Sequence, residues 1–393
     1  MAAIFAATEG AETTLFESSA DGGRKILISG GGRCNVLPAR LDETRFITES
    51  SPHTLRNIVR SWPLAEQRRF FEHDLAVPLK EEAESAKLFP VSDKARDVRD
   101  GLLTLARQRG VRVRTGTRVT GVRRAGDIWQ VQVNDADNND VDAVIVASGG
   151  LSVPATGSDG FGLRLARTLG HTVHETYAAL TPVTVEPAPF APLAGISLPV
   201  TITAQDSERK AVASGGFLFT HRGYSGPSVL DVSHVLVRSR PDPDEKARLW
   251  VNWASRPESA WDADLRADGA RQIATVVRQH LPERLALALL TLAGVDPARP
   301  LAQLRREERL ALLRALTRCE LPWTGDEGYK KAEVTGGGVS LAEIDPRTME
   351  SKKQPGLFLC GELLDAFGPI GGYNFLWAWA TGRAAGLGAA RTA

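Results

Sequence analysis

Apolar positions along this chain change their period several times, and those changes mark out its elements. Met1 to Ala7 follows a helical repeat closed by Glu9 and Gly10, and Ala11 to Phe16 reads as a strand that Glu17 ends. Leu55, Ile58, Val59 and Trp62 share one helical face. So do Leu102, Leu105 and Ala106, within a helix expected over 94–109 that Gly110 stops. Between these helices, Leu88 to Ser92 reads as a loop. Strand-like runs at 111–114, 119–123 and 128–133, with turns at Gly116 and Gly126, predict a β-meander. The run 142–148 predicts a buried strand ending at Gly149 and Gly150. The turn Gly157 to Gly160 then caps a helix over 161–169.

From about residue 176 the texture changes. Short β runs at 180–185, 198–204, 211–213 and 217–220, separated by proline and glycine, predict a small barrel or sandwich. Residues 240–245 read as a polar turn, and 258–318 returns to helical spacing with leucine-rich faces such as Leu285, Leu289 and Leu292. Leu357 to Cys360 is an apolar run long enough for one buried parallel strand, and from Phe375 the pattern is helical again. The expected architecture is α/β, with a first part over 1–175, an insertion over 176–330 and a second part over 331–393. The insertion is expected to be β-rich over 176–238 and helical over 255–320.

Composition narrows the class. Hydrophobic content of 42% and charged content of 24% belong to a soluble globular protein, and no apolar run approaches the roughly 20 residues that span a bilayer. A formal net charge of +1 gives no bulk electrostatic argument for nucleic acid or membrane. The three cysteines, Cys34, Cys319 and Cys360, form no Cys-x-x-Cys pair, which fits a reducing cytoplasm without disulfides or zinc. The histidines show no metal-ligand spacing, so no metal is expected.

Candidate chemistry concentrates in two stretches. Gly356 to Asn374 (GLFLCGELLDAFGPIGGYN) joins a strand, a glycine loop and a helix N-terminus, an arrangement suited to an anion. There Gly361 and Glu362 follow the strand, with Glu362 as an acceptor for a ribityl or ribose hydroxyl. Gly371 and Gly372 allow close backbone approach, and the helix starts near Asn374. Gly22 to Asn35 (GGRKILISGGGRCN) supplies backbone N–H groups at Gly31 and Gly32 between the cations Arg24, Lys25 and Arg33. Glu17, at the end of an early strand, occupies the place where a dinucleotide fold binds ribose hydroxyls, and Gly149 lies at a strand end that lines the ligand crevice. Cys34 is expected to be a packed thiol. The arginines between 109 and 124 read as a solvated face rather than an RNA stripe, since strand alternation splits them. Catalytic candidates are His221, whose bland reading is a structural histidine beside a glycine turn, and Tyr373. The first strand and Gly-x-Gly-x-x-Gly turn of a dinucleotide fold are absent, and the expectation is a start further upstream rather than a damaged cofactor site.

GRKILISGGGRCN at 23–35 resembles the signature of the BaiN/YhiN-type bacterial flavoproteins, the NAD(P)/FAD-dependent oxidoreductases. ASGGLSVPATGSDG at 147–160, LFTHRGYSGP at 218–227, VTGGGV at 334–339 with TMESK at 348–352, and the C-terminal stretch match the same family in order. The resemblance implies a glutathione-reductase-like FAD-binding domain, discontinuous in sequence, with an inserted β-barrel-like plus helical domain. It implies Asn35, Val119 (through its backbone, at the adenine) and Asp365 as further cofactor contacts. It also implies FAD as cofactor, NAD(P)H as candidate donor and a small enone-like acceptor. A flavin oxidase of a small amine, a tRNA-directed flavoprotein and an inactive remnant of the FAD site are the alternatives.

Overall fold

The structure, a computed structural model, describes residues 1–83, 85–134, 137–240, 246–266 and 271–392. It divides into two units, Met1–Tyr177 with Glu333–Ala393, and Ala178–Ala332.

The first unit opens with helix α1 (Ala2–Thr8), strand β1 (Thr14–Phe16) and a short helix α2 (Arg24–Ile28) that runs into a tight turn at Ser29–Gly32 with left-handed glycines. There follow β2 (Leu37–Pro38), α3 (Pro52–Arg60), α4 (Leu64–Arg69), β3 (Leu79–Glu82), β4 (Lys87–Pro90), α5 (Ala95–Gln108) and β5 (Arg112–Arg114). Then come β6 (Val119–Ala125), β7 (Ile128–Val133), β8 (Asp137–Val141), β9 (Val144–Val146), α6 (Phe161–Thr168) and β10 (Val173–Ala179).

Three local expectations are corrected here. The segment expected as a loop at 88–92 begins inside β4, the middle strand of an antiparallel β2-β4-β3 sheet. Its proline hid the pairing, but Pro90 is the last residue of the strand, where a missing N–H is tolerated. The run at 111–114 is not part of the meander: β5 pairs parallel with β1, Thr14 opposite Arg112. The third meander strand is β8, whose sequence DNNDV carries no alternating apolar signal and is held extended by β7.

The second unit contains β11 (Val183–Thr184), β12 (Ser197–Gln205), β13 (Lys210–Thr220), β14 (Gly223–Ser225), α7 (Pro227–Ser239) and β15 (Arg248–Trp253). It continues through helices α8 (Glu258–Arg266), α9 (Ile273–Arg278), α10 (Glu283–Leu292) and α11 (Arg306–Thr317) to β16 (Cys319–Glu320) and β17 (Gly325–Asp326). The runs expected separately at 211–213 and 217–220 are one strand, because Gly215 and Gly216 pair with Val200 and Pro199 rather than breaking it. The sheet order is β16-β15-β12-β13-β14-β11-β17. Its two outer strands are joined by Leu321–Thr324, a link that spans at most roughly 18 Å, so the sheet curls toward closure as a barrel would. Inside, Phe217, Phe219 and Trp253 are buried together with the apolar face of α7, the Phe219 and Trp253 rings stacked at 5.6 Å. The polar turn expected at 240–245 lies, beyond residue 240, outside the described residues.

The chain re-enters the first unit through β18 (Val334–Val339), β19 (Leu357–Leu359) and the long helix α12 (Tyr373–Ala390). β9 and β19 form a parallel pair, Val144 opposite Leu357, and β10 pairs with β18. α12 is buried on nearly every side, as expected of a helix apolar all round. Gly386 lets α1 lie directly on it: a Cβ there would sit 2.3 Å from the Ala2 carbonyl oxygen.

Candidate active site

Several segments meet where β19 ends. Gly361, at φ +80°, opens a tight turn over Gly361–Leu363. Its N–H donates to Thr381 Oγ1 at 3.0 Å, and its carbonyl accepts from Trp377 Nε1 at 3.1 Å. These two partners stand one helical turn apart on α12, so a single helix face holds the peptide in place. A Cβ built on Gly361 meets nothing within 4 Å. A backbone in this conformation, open on its Cα side, can be approached closely by a ligand.

The next residue ties the strand ends together. Glu362 Oε1 accepts from Ser152 Oγ, from Thr335 N at 3.0 Å and from Thr335 Oγ1 at 2.9 Å. Glu362 Oε2 accepts from Lys25 Nζ, which also donates to Ser152 Oγ. Thr335 Oγ1 in turn accepts from Leu151 N at 2.7 Å. One carboxylate thus gathers α2, the turn after β9, the start of β18 and the end of β19. The Lys25 and Glu362 side chains keep 29% and 17% of their surface exposed, enough for a ligand to reach both signs of charge.

At the start of α12, Gly372 has φ +90° and its N–H donates to the Asn35 side-chain oxygen at 2.9 Å, while the Asn35 amide nitrogen donates to Leu37 O. Asn374 clamps Gly368, donating to its carbonyl and accepting from its N–H, both at 2.9 Å. Tyr373 is buried, and its hydroxyl accepts from Asp42 N at 3.2 Å. These polar side chains brace the loop; what remains for a ligand is backbone, namely the first-turn N–H groups of α12 and Gly371. Lys87 Cε lies 3.9 Å from where a Gly371 Cβ would be, and its charge also acts on the Glu82 and Glu333 carboxyls. An ammonium beside a helix N-terminus favours negative charge on whatever binds there.

The other sequence candidates fall around or away from this centre. Gly149, at φ +72°, and Gly150 belong to the turn after β9, and a Cβ on Gly150 would lie 3.1 Å from Glu362 Oε1. Glu17 accepts from Ser19 N at 2.7 Å and from Ser19 Oγ. Arg24 turns to Asp21 on the exposed side of α2. Gly31 and Gly32 sit in an exposed turn, and the space above Gly31 is open. Val119 lines a cavity of about 590 Å³ with Arg118, Thr120, Phe161 and Arg164. Asp365 is buried and accepts from Glu49 N and Ser50 N at 2.9 and 2.8 Å, holding a neighbouring turn. His221 belongs to the second unit and is exposed in the turn between β13 and β14. Burial pushes the Cys34 thiol up to about 12, so it is a packed residue.

Sequence reasoning missed Ser152, Thr335, Lys87, Trp377 and Thr381. Only the last two carried a local signal, their spacing of one turn on the same helix. Elsewhere in this unit a Glu343–His171–Ser351 chain imitates a nucleophile triad. Its serine is buried and already accepts from Lys353 N and Gln354 N at 3.1 and 2.9 Å, so it acts as a brace.

The donor set suits an anionic dinucleotide: a cation, a carboxylate acceptor, open glycine backbone and a helix N-terminus. Gly361, Lys25, Glu362, Gly371 and the first turn of α12 would hold FAD, on the strength of the unfilled space at Gly361 and the reachable Lys25–Glu362 pair.

Comparison with known proteins supports the cofactor class. Residues 1–388 match the HI0933-like protein Rossmann domain. The chain is 32% identical over 385 residues to the ribosomal RNA dihydrouridine synthase of Escherichia coli, covering 95% of this chain and 90% of that one. It is 31% identical over 398 residues to the 3-dehydro-bile acid delta(4,6)-reductase of Clostridium scindens, covering 99% and 96%. Among solved structures, a quinol-fumarate reductase with menaquinol molecules matches with a TM-score of 0.50 at 13% identity over 100% of this chain and 69% of that one, a likeness of fold alone. No helix among the described residues is long and apolar enough to cross a membrane. The chain belongs to the HI0933-like family, and it is an FAD-dependent oxidoreductase with a Rossmann-like fold.

Proposed function

We propose that this chain saturates a carbon–carbon double bond conjugated to a carbonyl, with NAD(P)H as electron donor, and that the bond is C5–C6 of a uridine in RNA. The observation that carries this reading is the chemistry common to the two named activities of its full-length relatives. Dihydrouridine is uridine with two hydrogens added beside the C4 carbonyl, and a delta(4,6)-reductase acting on a 3-dehydro compound also saturates bonds conjugated to a carbonyl. RNA takes precedence because dihydrouridine synthases from two organisms match, the second from Haemophilus influenzae at 31% identity over 97% of this chain. A small enone is the second reading, favoured by the 99% span of the bile-acid reductase match.

FAD, when bound, supplies the hydride transfer. The protein's own groups do the rest. Gly361 and Gly371 admit the cofactor close to the backbone, and Lys25 with Glu362 orients its polar chain. The start of α12 and the Lys87 ammonium favour the negative charge that accompanies reduction. Saturation also needs one proton, and the half-buried Lys87 ammonium beside Gly371 is the acid proposed for it. The setting proposed is the cytoplasm, where Cys34, Cys319 and Cys360 remain free thiols.

The test is to incubate the FAD-loaded protein and NAD(P)H with an unmodified ribosomal RNA transcript, and separately with a steroid-like enone, and to read products by mass spectrometry. Dihydrouridine in the RNA supports the first reading. Enone turnover with unchanged RNA selects the second. Cofactor reduction with neither product would sink both.

A further inference from the structure

The outward face of the sheet in the second unit carries an aromatic ring and cations that the redox site does not use. Along β12, β13 and β15 alternate residues are buried, which turns Thr203, Val212 and Trp250 outward. Strand register places Val212, Thr203, Trp250 and Glu320 in one row across four strands. Lys210 and Arg248 flank β12 in the adjacent row, opposite each other across Gln205. The guanidinium carbons of Arg318 and Arg248 lie 5.0 and 5.6 Å from the Trp250 ring centroid. Arg248 also pairs with Glu320 at 3.0 Å, whereas among the described residues Arg318 and Lys210 have no carboxylate partner. Val212 is 58% exposed, one of the few large apolar side chains so open to solvent.

A cation beside a tryptophan is common on protein surfaces and alone says little. Here it sits on a four-strand face, beside an exposed apolar residue and an outward hydroxyl, with three cations against one carboxylate. That combination fits single-stranded nucleic acid. A base offers its π-face to an aromatic ring, phosphates take up unpaired cations, and ribose hydroxyls meet the hydroxyls of a sheet. At about 4.8 Å between strands, the row is roughly 14 Å wide, comparable to the four-stranded sheets that hold two or three nucleotides.

We propose that this face binds a single-stranded segment of the substrate RNA, with one base stacked on Trp250 and phosphates on Arg318 and Lys210. The inference rests on the RNA reading above and adds to it where the RNA is held. The test uses the FAD-loaded full chain and a fluorescein-labelled, uridine-containing single-stranded RNA, with binding followed by anisotropy across a salt series. Trp250→Ala is expected to weaken binding about tenfold or more, the scale of one lost base–aromatic stack. Arg318→Ala and Lys210→Ala are each expected to lower the slope of log affinity against log salt by about 0.7, the single-strand value for one phosphate contact. An unchanged calorimetric transition of the second unit in each variant reports intact folding there, and the two single-charge variants keep the test decisive if Trp250→Ala misfolds. Wild-type binding that all three variants retain would overturn the placement on this face while leaving the RNA reading standing. Equal displacement by inorganic polyphosphate in wild type and variants would reduce the face to unspecific charge and overturn the proposal. No binding of RNA by the wild type would end the RNA reading and this inference with it.

Discussion

Glu362 is the residue on which the candidate site converges, because its carboxylate is the shared acceptor of side chains and backbone from separate stretches of chain. Glu362→Gln keeps the size and removes the charge that Lys25 meets. It is expected to weaken FAD binding about 10- to 100-fold, the scale of lost charge-assisted hydrogen bonds. A flavin fluorescence titration reads this directly, and an unchanged affinity would remove Glu362 from the site. The motif around Glu362 was legible, since a strand, a Gly-Glu turn and a glycine loop announce themselves in order. Its partners were not, because Ser152 and Thr335 reach it only through the topology of β9 and β18. A second residue-scale expectation concerns His171. Burial holds its pKa below the ordinary histidine value, against the opposing pull of Glu343. Below the unfolded value of about 6.5, the unfolded chain takes a proton that the folded chain resists, so stability falls as pH falls. Burial would raise Glu343, but hydrogen bonds from Lys353 and Thr172 outweigh it and hold the carboxyl at about 2, which adds a loss at lower pH of the same sign. Melting temperatures measured from pH 7 down to 5 should decline, and His171→Asn should flatten that decline; a slope untouched by the substitution would refute the assignment.

At the scale of elements, α1 packs directly on the backbone of α12. Gly386→Val would put side-chain carbon where the Ala2 carbonyl oxygen now lies. The expected cost of such overpacking is about 1–3 kcal/mol, or a melting temperature lower by roughly 3–10 °C, and thermal unfolding followed by circular dichroism would show it. An unperturbed melt would mean that α1 does not sit as described. The elements that sequence made legible are those whose own residues specify them. α5 has an apolar stripe and a terminating glycine, β9 and β19 are apolar runs, and α12 is apolar on every side. The ones it hid take their conformation from a neighbour. β8 is nearly all polar and extended only through β7, and β5 looks like the first strand of a hairpin while it pairs with a strand about a hundred residues earlier. Period alone cannot distinguish a parallel from an antiparallel partner for a three-residue strand.

For the whole molecule, two separate hydrophobic clusters predict two cooperative unfolding events, one for each unit. FAD at 100 times its dissociation constant would stabilise only the unit that holds it, by about 2.7 kcal/mol, or roughly 5–10 °C in its transition. Calorimetry with and without FAD would separate them, and a single transition that moves as one would contradict the division. The expressed segment 178–332, one continuous stretch, should fold without the rest. The contact between Lys25 and Glu362 spans 337 residues, and that separation imposes an order of events in the cell. During translation, at about 5–20 residues per second, Lys25 leaves the ribosome roughly 20 to 60 s before its carboxylate partner exists. Throughout that interval the nascent N-terminal segment has neither β19 nor α12 to cover it, while the middle of the chain can already fold. Any cofactor contact that joins these segments must therefore wait for both, and a stop codon between residues 333 and 373 would leave the whole inserted segment without the flavin contacts proposed for α12.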